Sequence, residues 1–120
     1  MNIVICHSTN FDFKTELYAP IKNIFDIQKH NVYLPEESKA KNTLELIKDC
    51  DFIIAEVSFA STGEGIELGW ANILNKQIYC IHKTNHKPSS SLKFITKNFY
   101  EYSNSNELIK IIKQIINTHK

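Results

Sequence analysis

One seven-residue stretch concentrates the side chains able to do chemistry: Ser61-Thr62-Gly63-Glu64-Gly65-Ile66-Glu67. It holds two hydroxyls, two carboxyls three residues apart, and two of the chain's three glycines. Glycines at the start of a helix leave backbone amides open to a close-lying ligand. A carboxylate about one turn further on, Glu67, feels the positive end of the helix dipole. That field favours its ionised form by ~0.3–1 kcal/mol. An ionised carboxylate facing a pocket is what a nucleophile or a charge stabiliser requires. Each of these residues also has a plainer role. Ser61 and Glu64 form a capping-box pattern, and capping alone would account for both. Gly63 and Gly65 would serve a turn, Gly69 helix–sheet packing, and a Glu at the position of Glu67 an exposed helix surface.

Other candidates are scattered. Glu56 lies inside an apolar run, which is unusual for a carboxylate. The reading favoured for it is structural, paired with a loop donor, and the rival is a side chain aimed into a pocket. His7 follows an apolar run and suits either a ligand contact or a satisfied buried histidine. His82 reads as structural, and Trp70 and Tyr79 as packing. Cys6, Cys50 and Cys80 are an odd number, widely spaced and flanked by apolar residues. That argues against a disulfide framework or a zinc site and for buried thiols in a reducing compartment. No phosphate-loop, HExxH, GxSxG or dinucleotide glycine pattern occurs. Neither a metal nor a cofactor is expected.

Along the chain, apolar runs and helical periodicities alternate. Asn2 to Cys6 reads as a buried strand, and His7 to Asp12 as a loop. A helical pattern then runs to about Phe25, with Leu17, Ile21, Ile24 and Phe25 on one face and a break expected at Pro20. Asn31 to Leu34 is a short strand, and Glu36 to Asn42 a charged loop. Thr43 to Cys50 is a helix with Leu44, Leu46 and Ile47 inward. Asp51 to Ser58 is the strongest strand, Ser61 to Asn75 a helix, and Gln77 to His82 a strand. A polar loop from Thr84 to Ser90 leads to helical turns over Ser91 to Lys97. Asn98 to Tyr102 is the last strand and Asn104 to His119 an amphipathic helix.

Five strands alternating with helices in 120 residues predict an α/β fold. The expected form is a five-stranded parallel sheet of order 2-1-3-4-5 in a flavodoxin-like three-layer sandwich. No internal repeat or linker appears, so one domain over residues 1–120 is expected. Apolar residues make up 42% of the chain, and 14 basic residues balance 13 acidic ones for a net charge of +1. Such a balance gives no electrostatic case for nucleic acid or a membrane as partner. The chain opens directly on a strand-like segment with no signal-peptide pattern, so a cytoplasmic protein is expected. In a sheet of this order, ligands bind beyond the carboxyl ends of the strands where the order reverses, between strands 1 and 3. The loops at His7 to Asp12 and Ser58 to Gly65 meet there.

The run Asp51-Phe-Ile-Ile-Ala-Glu-Val-Ser58 followed by Ser61-x-Gly63-x-Gly65-x-Glu67-Leu-Gly69-x-Ala71 resembles the central motif of the nucleoside 2-deoxyribosyltransferase superfamily. It is closest to the 2'-deoxynucleoside 5'-phosphate N-hydrolase branch, over roughly residues 43 to 83. The resemblance implies a dimeric enzyme that cleaves the N-glycosidic bond of a 2'-deoxynucleoside or its monophosphate. It implies Glu67 as the nucleophile that attacks the anomeric carbon. Ser61, beside Gly63, would help hold the sugar or phosphate end. Ser8 would stand in the position of a family serine after the first strand, and Ser90 or Ser91 in that of a serine from the neighbouring subunit. Three family positions differ here: an aspartate falls on Thr43, a tyrosine on Val4, and a phosphate-binding arginine near Thr9 and Asn10. Asp12 or His7 would have to replace the missing acid.

Overall fold

A computed structural model describes residues 1–37 and 42–119 of the chain. Five strands form one parallel sheet: β1 (Asn2–His7), β2 (Asn31–Tyr33), β3 (Phe52–Glu56), β4 (Gln77–Lys83) and β5 (Phe99–Tyr102). Their order is β2-β1-β3-β4-β5, every neighbouring pair is parallel, and the predicted topology therefore stands. Among the described residues, four α-helices cover it: α1 (Ala19–Lys22), α2 (Thr43–Asp49), α3 (Thr62–Ile73) and α4 (Ser105–Thr118). No helix among the described residues is long and apolar enough to cross a membrane.

The strand sequences explain the three layers. Alternate residues point to opposite faces of a strand, and here both faces are apolar. Ile3, Ile5, Phe52, Ile54, Tyr79 and Ile81 pack against Leu17, Ile21, Leu108, Ile112, Ile115 and Ile116, from α4 and from the segment around α1. Val4, Cys6, Ile53, Ala55, Ile78 and Cys80 pack against Leu46 and Ile47 of α2 and Leu68 and Ala71 of α3. All three cysteines are buried free thiols.

The helical segment after the first loop, expected to kink or break at Pro20, is divided. A π-helical turn over Lys14–Tyr18 runs into α1, and a 3-10 turn over Phe25–Lys29 follows. Pro20 sits in the first turn of α1, where its missing N–H costs nothing. The Phe25 side chain, and residues 38–41 of the predicted charged loop, lie outside the described set. The segment before β5 is a 3-10 turn, Ser90–Phe94. In α2, Leu46 and Ile47 are buried and Leu44 only partly so. Trp70 corrects the sequence reading: it is 37% exposed rather than packed. It shares an outward stripe of α3 with Ile66 and Ile73, at the i, i+4, i+7 spacing of one helix face.

Candidate active site

The carboxyl ends of β1 and β3 face each other, with His7 paired to Glu56 in the register. The loops that leave them touch: the Asn10 side-chain amide donates to Ala60 O at 3.4 Å, and Asn10 N–H to Ser8 Oγ at 3.3 Å. Ser8 is buried and Ser61 partly buried. Ser61 caps α3, its Oγ accepting from Glu64 N–H at 3.3 Å.

Glu67 reaches inward from the second turn of α3 and is half-buried. Burial raises its carboxyl above the usual range, against side-chain hydrogen bonds from Thr43 and Cys6 that pull it back. Burial thus outweighs the helix field expected to favour ionisation. The two polar neighbours come from different elements. Cys6 comes from the carboxyl half of β1, and Thr43 from the first turn of α2, where Asn42 Oδ1 caps the helix by accepting Leu44 N–H at 2.8 Å. The Lys76 ammonium holds the other end of α2 through Lys48 O and Cys50 O, both at 2.9 Å. Thr43, where the family places an aspartate, therefore stands against Glu67. It offers a hydroxyl in place of an ionisable proton. The Cys6 thiol is pushed well up by burial and by Glu67 and Glu64, so it stays a thiol.

Two other acidic or basic candidates are engaged elsewhere. Glu56 is buried and accepts from Ser58 N–H at 2.6 Å, from Ser58 Oγ–H at 3.0 Å and from the Tyr102 hydroxyl. Ser58 Oγ in turn accepts Lys83 N–H at 2.7 Å, so Glu56 ties β3 to β4 and β5 in the structural role expected for it. The His7 ring makes two bonds of 2.6 Å, to Ser8 O and to the Tyr18 hydroxyl. A carbonyl can only accept, so Nδ1 carries the proton and Nε2 accepts from Tyr18. The Tyr18 oxygen also accepts Glu36 N–H at 3.1 Å. Burial holds His7 below its usual range, which keeps this neutral arrangement. Asp12 is exposed and accepts Thr15 N–H at 3.4 Å.

The sequence reading gave Glu64 only a capping role. Only half of the capping box forms, because no bond from Ser61 N–H to the Glu64 carboxyl is present among the described residues. Instead the Glu64 side chain turns under the helix. It is 5% exposed, and its Oε2 has no hydrogen-bond partner. Burial, then the charges of Glu56 and Glu67, push its carboxyl up to about 9. It is a neutral carboxylic acid at neutral pH. One signal could have revealed this: Glu64 keeps the i, i+4, i+7 register with the core residues Leu68 and Ala71.

Glu64 lines a cleft of about 270 Å³ with Ser61, Gly65, Gly69, Ser89 and Ser91, over apolar walls that include Leu68, Leu92 and Ile95. Three of the predicted contacts, Ser61, Gly65 and Ser91, meet there in one chain. Glu67 lies on the β1 side of the same helix. No glycine has a positive φ, and a Cβ at Gly63, Gly65 or Gly69 would meet nothing within 4 Å. Neither the turn nor, as had been expected for Gly69, packing against the sheet requires them. Their common effect is open space along α3.

The sequence model of the nucleoside 2-deoxyribosyltransferase family matches residues 4–106. The chain belongs to this family. It is thereby an enzyme of the nucleoside deoxyribosyltransferase and N-glycosidase kind. Among solved structures, this deoxyribosyltransferase-family chain is similar to a CMP N-glycosidase of Clostridium botulinum, at 22% identity. The match has a TM-score of 0.66 and covers 92% of this chain and 98% of that one. It is also similar to the 2-deoxyribosyltransferase of Bacillus psychrosaccharolyticus, at 16% identity and a TM-score of 0.67, over 89% of each chain. No curated protein sequence matches.

Proposed function

We propose that the protein cleaves the N-glycosidic bond of a deoxynucleoside, nucleoside or nucleotide, with Glu67 as nucleophile. The carrying observation is the seat of Glu67, half-buried, with Thr43 of α2 and Cys6 of β1 as the polar neighbours that favour its charged form against burial. A carboxylate partly withdrawn from water, with neighbours that favour its charged form, is a competent nucleophile. Attack on the anomeric carbon expels the base and leaves a glycosyl-enzyme. Water or a second base resolves it, as in retaining glycoside hydrolysis. Ser61, with the open helix start at Gly63 and Gly65, and Ser8 orient the sugar end, and Ser91 closes the cleft opposite Ser61. The active unit in this reading is a cytoplasmic homodimer.

A panel of deoxynucleosides, ribonucleosides and their 5'-monophosphates, CMP included because a structural neighbour is a CMP N-glycosidase, is incubated with the protein and free base is measured. Release by the wild type is expected, with a loss of at least ~10³-fold in Glu67→Ala. Equal activity in the two proteins, or no release from any N-glycoside, refutes the reading. Thr43 supports a second one, a nucleotide-binding module of the same fold with impaired turnover. Thermal stabilisation by a nucleotide without release of base would favour it.

A further inference from the structure

The nucleophile accounts for one half of a glycosyl transfer. The departing base still needs a proton, and Thr43 cannot supply one from a carboxyl. His7 has both ring nitrogens engaged and Asp12 caps a turn in solvent. We propose that Glu64 is the proton donor to the leaving base, taking the acid's part from one turn before Glu67 on α3. This rests on Glu67 as nucleophile.

Three observations converge on Glu64. It is one helical turn from Glu67, and residues three apart on a helix are neighbours on its surface. Its Oε2 is buried without a partner, although a buried polar atom is nearly always satisfied. And it lines a cleft beside α3 that pairs apolar walls with serine hydroxyls. At about 270 Å³ that cleft falls just below the ~300–1,000 Å³ of sites for drug-sized ligands, so it suits a single ring system. The other ionisable groups that act on or feel Glu64 are Glu56 from β3, Glu67 from α3, and the thiols of Cys6 and Cys80 from β1 and β4. None of them is a cation, so nothing draws its proton away before substrate arrives.

The proton balance closes over two steps. As a Glu67 oxygen bonds the anomeric carbon, the bond from that carbon to the base nitrogen breaks. Its electron pair goes to the base, and the Glu64 proton moves to the same base. Glu67 is then an ester without charge, so one of the charges holding the proton on Glu64 has gone. In the second step a water oxygen bonds the anomeric carbon, the ester bond to Glu67 breaks, and the water's proton returns to Glu64. The two carboxyls thus exchange roles with their charges, a pattern that marks acid and nucleophile in carboxylate pairs.

The test compares wild type, Glu64→Gln, Glu64→Asp and Glu67→Ala on two kinds of substrate. One is the ordinary nucleoside the wild type cleaves. The other is its counterpart with a base that leaves with little or no protonation, an N7-methylated purine or a 5-fluorinated pyrimidine. Glu64→Gln is expected to lose ~10²-fold or more in kcat/KM on the ordinary base and under about tenfold on the activated one. It should also lose the alkaline limb of the pH profile, and Glu64→Asp should restore part of the rate. In the wild type that limb should coincide with disappearance of the infrared band of a protonated carboxyl, a readout that holds even if Glu64→Gln folds poorly. Equal losses on both substrates mean packing alone and overturn the proposal, as does an unchanged rate or a limb that does not track the band. Activity retained in Glu67→Ala sinks the nucleophile and this proposal together. Activity lost in Glu67→Ala but intact in Glu64→Gln sinks only the acid.

Discussion

Glu64 and Glu67 are one turn apart on one helix, yet their surroundings differ in kind. Glu67 has two hydrogen-bond donors; Glu64 has a free Oε2 and two charged neighbours. The first difference predicts a pH shift. Thr43→Val removes a donor that favours the ionised Glu67, so its carboxyl moves further up. The acid limb of kcat/KM should shift to higher pH, while Thr43→Ser leaves it in place. The second predicts a stability trend. Glu64 titrates at about 9 when folded against 4.5 when unfolded. Between those values the folded state binds the extra proton, so stability falls as pH rises and levels off above about 9. Glu64→Gln cannot ionise and should flatten that decline, by roughly 3 kcal/mol between about pH 5 and pH 7 at most. Melting curves of both proteins across pH measure it. Glu67 was legible from its motif because spacing from Ser61 and the glycines survives in sequence. Glu64 was not, because a Glu three residues after a serine satisfies the capping pattern whether or not its side chain turns that way. His7 was undecided for a similar reason: the Tyr18 hydroxyl that fixes its tautomer is eleven residues away.

At the scale of elements, α3 carries the chain's full set of three glycines within twelve helical residues. Each costs ~1 kcal/mol relative to alanine in a helix interior. Since none has a positive φ or a crowded Cβ direction, Gly65→Ala and Gly69→Ala should each stabilise the protein by about 0.5–1 kcal/mol. Both positions line the cleft, so the added methyl groups should lower kcat/KM while the melting temperature rises. A fall in both would mean that the backbone there needs glycine after all. The elements themselves were largely readable, since parallel strands buried on both faces give continuous apolar runs. The exception was the segment after the first loop. Its apolar spacing suits one helix, but Pro20 and the packing of Leu17, Tyr18 and Ile21 under the sheet divide it into a π turn, α1 and a 3-10 turn.

For the whole molecule, strand alternation and the rule for switch points brought the loops that leave β1 and β3 together, because topology decides where connecting loops meet. The cleft itself lies along α3 toward the 3-10 turn before β5, with no residue of the first loop in its lining. What a single chain's pattern hid was the outer face of α3. Ile66, Trp70 and Ile73 form a stripe there, Ile73 80% exposed, and Phe94 beside the cleft's 3-10 turn is 89% exposed. Contiguous exposed apolar residues of this size mark interaction surfaces more often than free surface. α3 also carries Glu64 and Glu67 on its inner side, so a partner pressed on the stripe would fix the helix that holds both carboxyls. The homodimer proposed for this chain therefore should pair through α3, and its loss should be felt at the active site. Ile73→Glu combined with Trp70→Lys is expected to move the protein from dimer to monomer in sedimentation, with kcat/KM reduced at least ~10-fold. Both side chains are largely or partly in water, so the monomer's melting temperature should change little apart from what dissociation itself removes. A wild type that sediments as a monomer at working concentration, or a double variant that stays dimeric, would place the subunit contact elsewhere and leave the stripe to another partner.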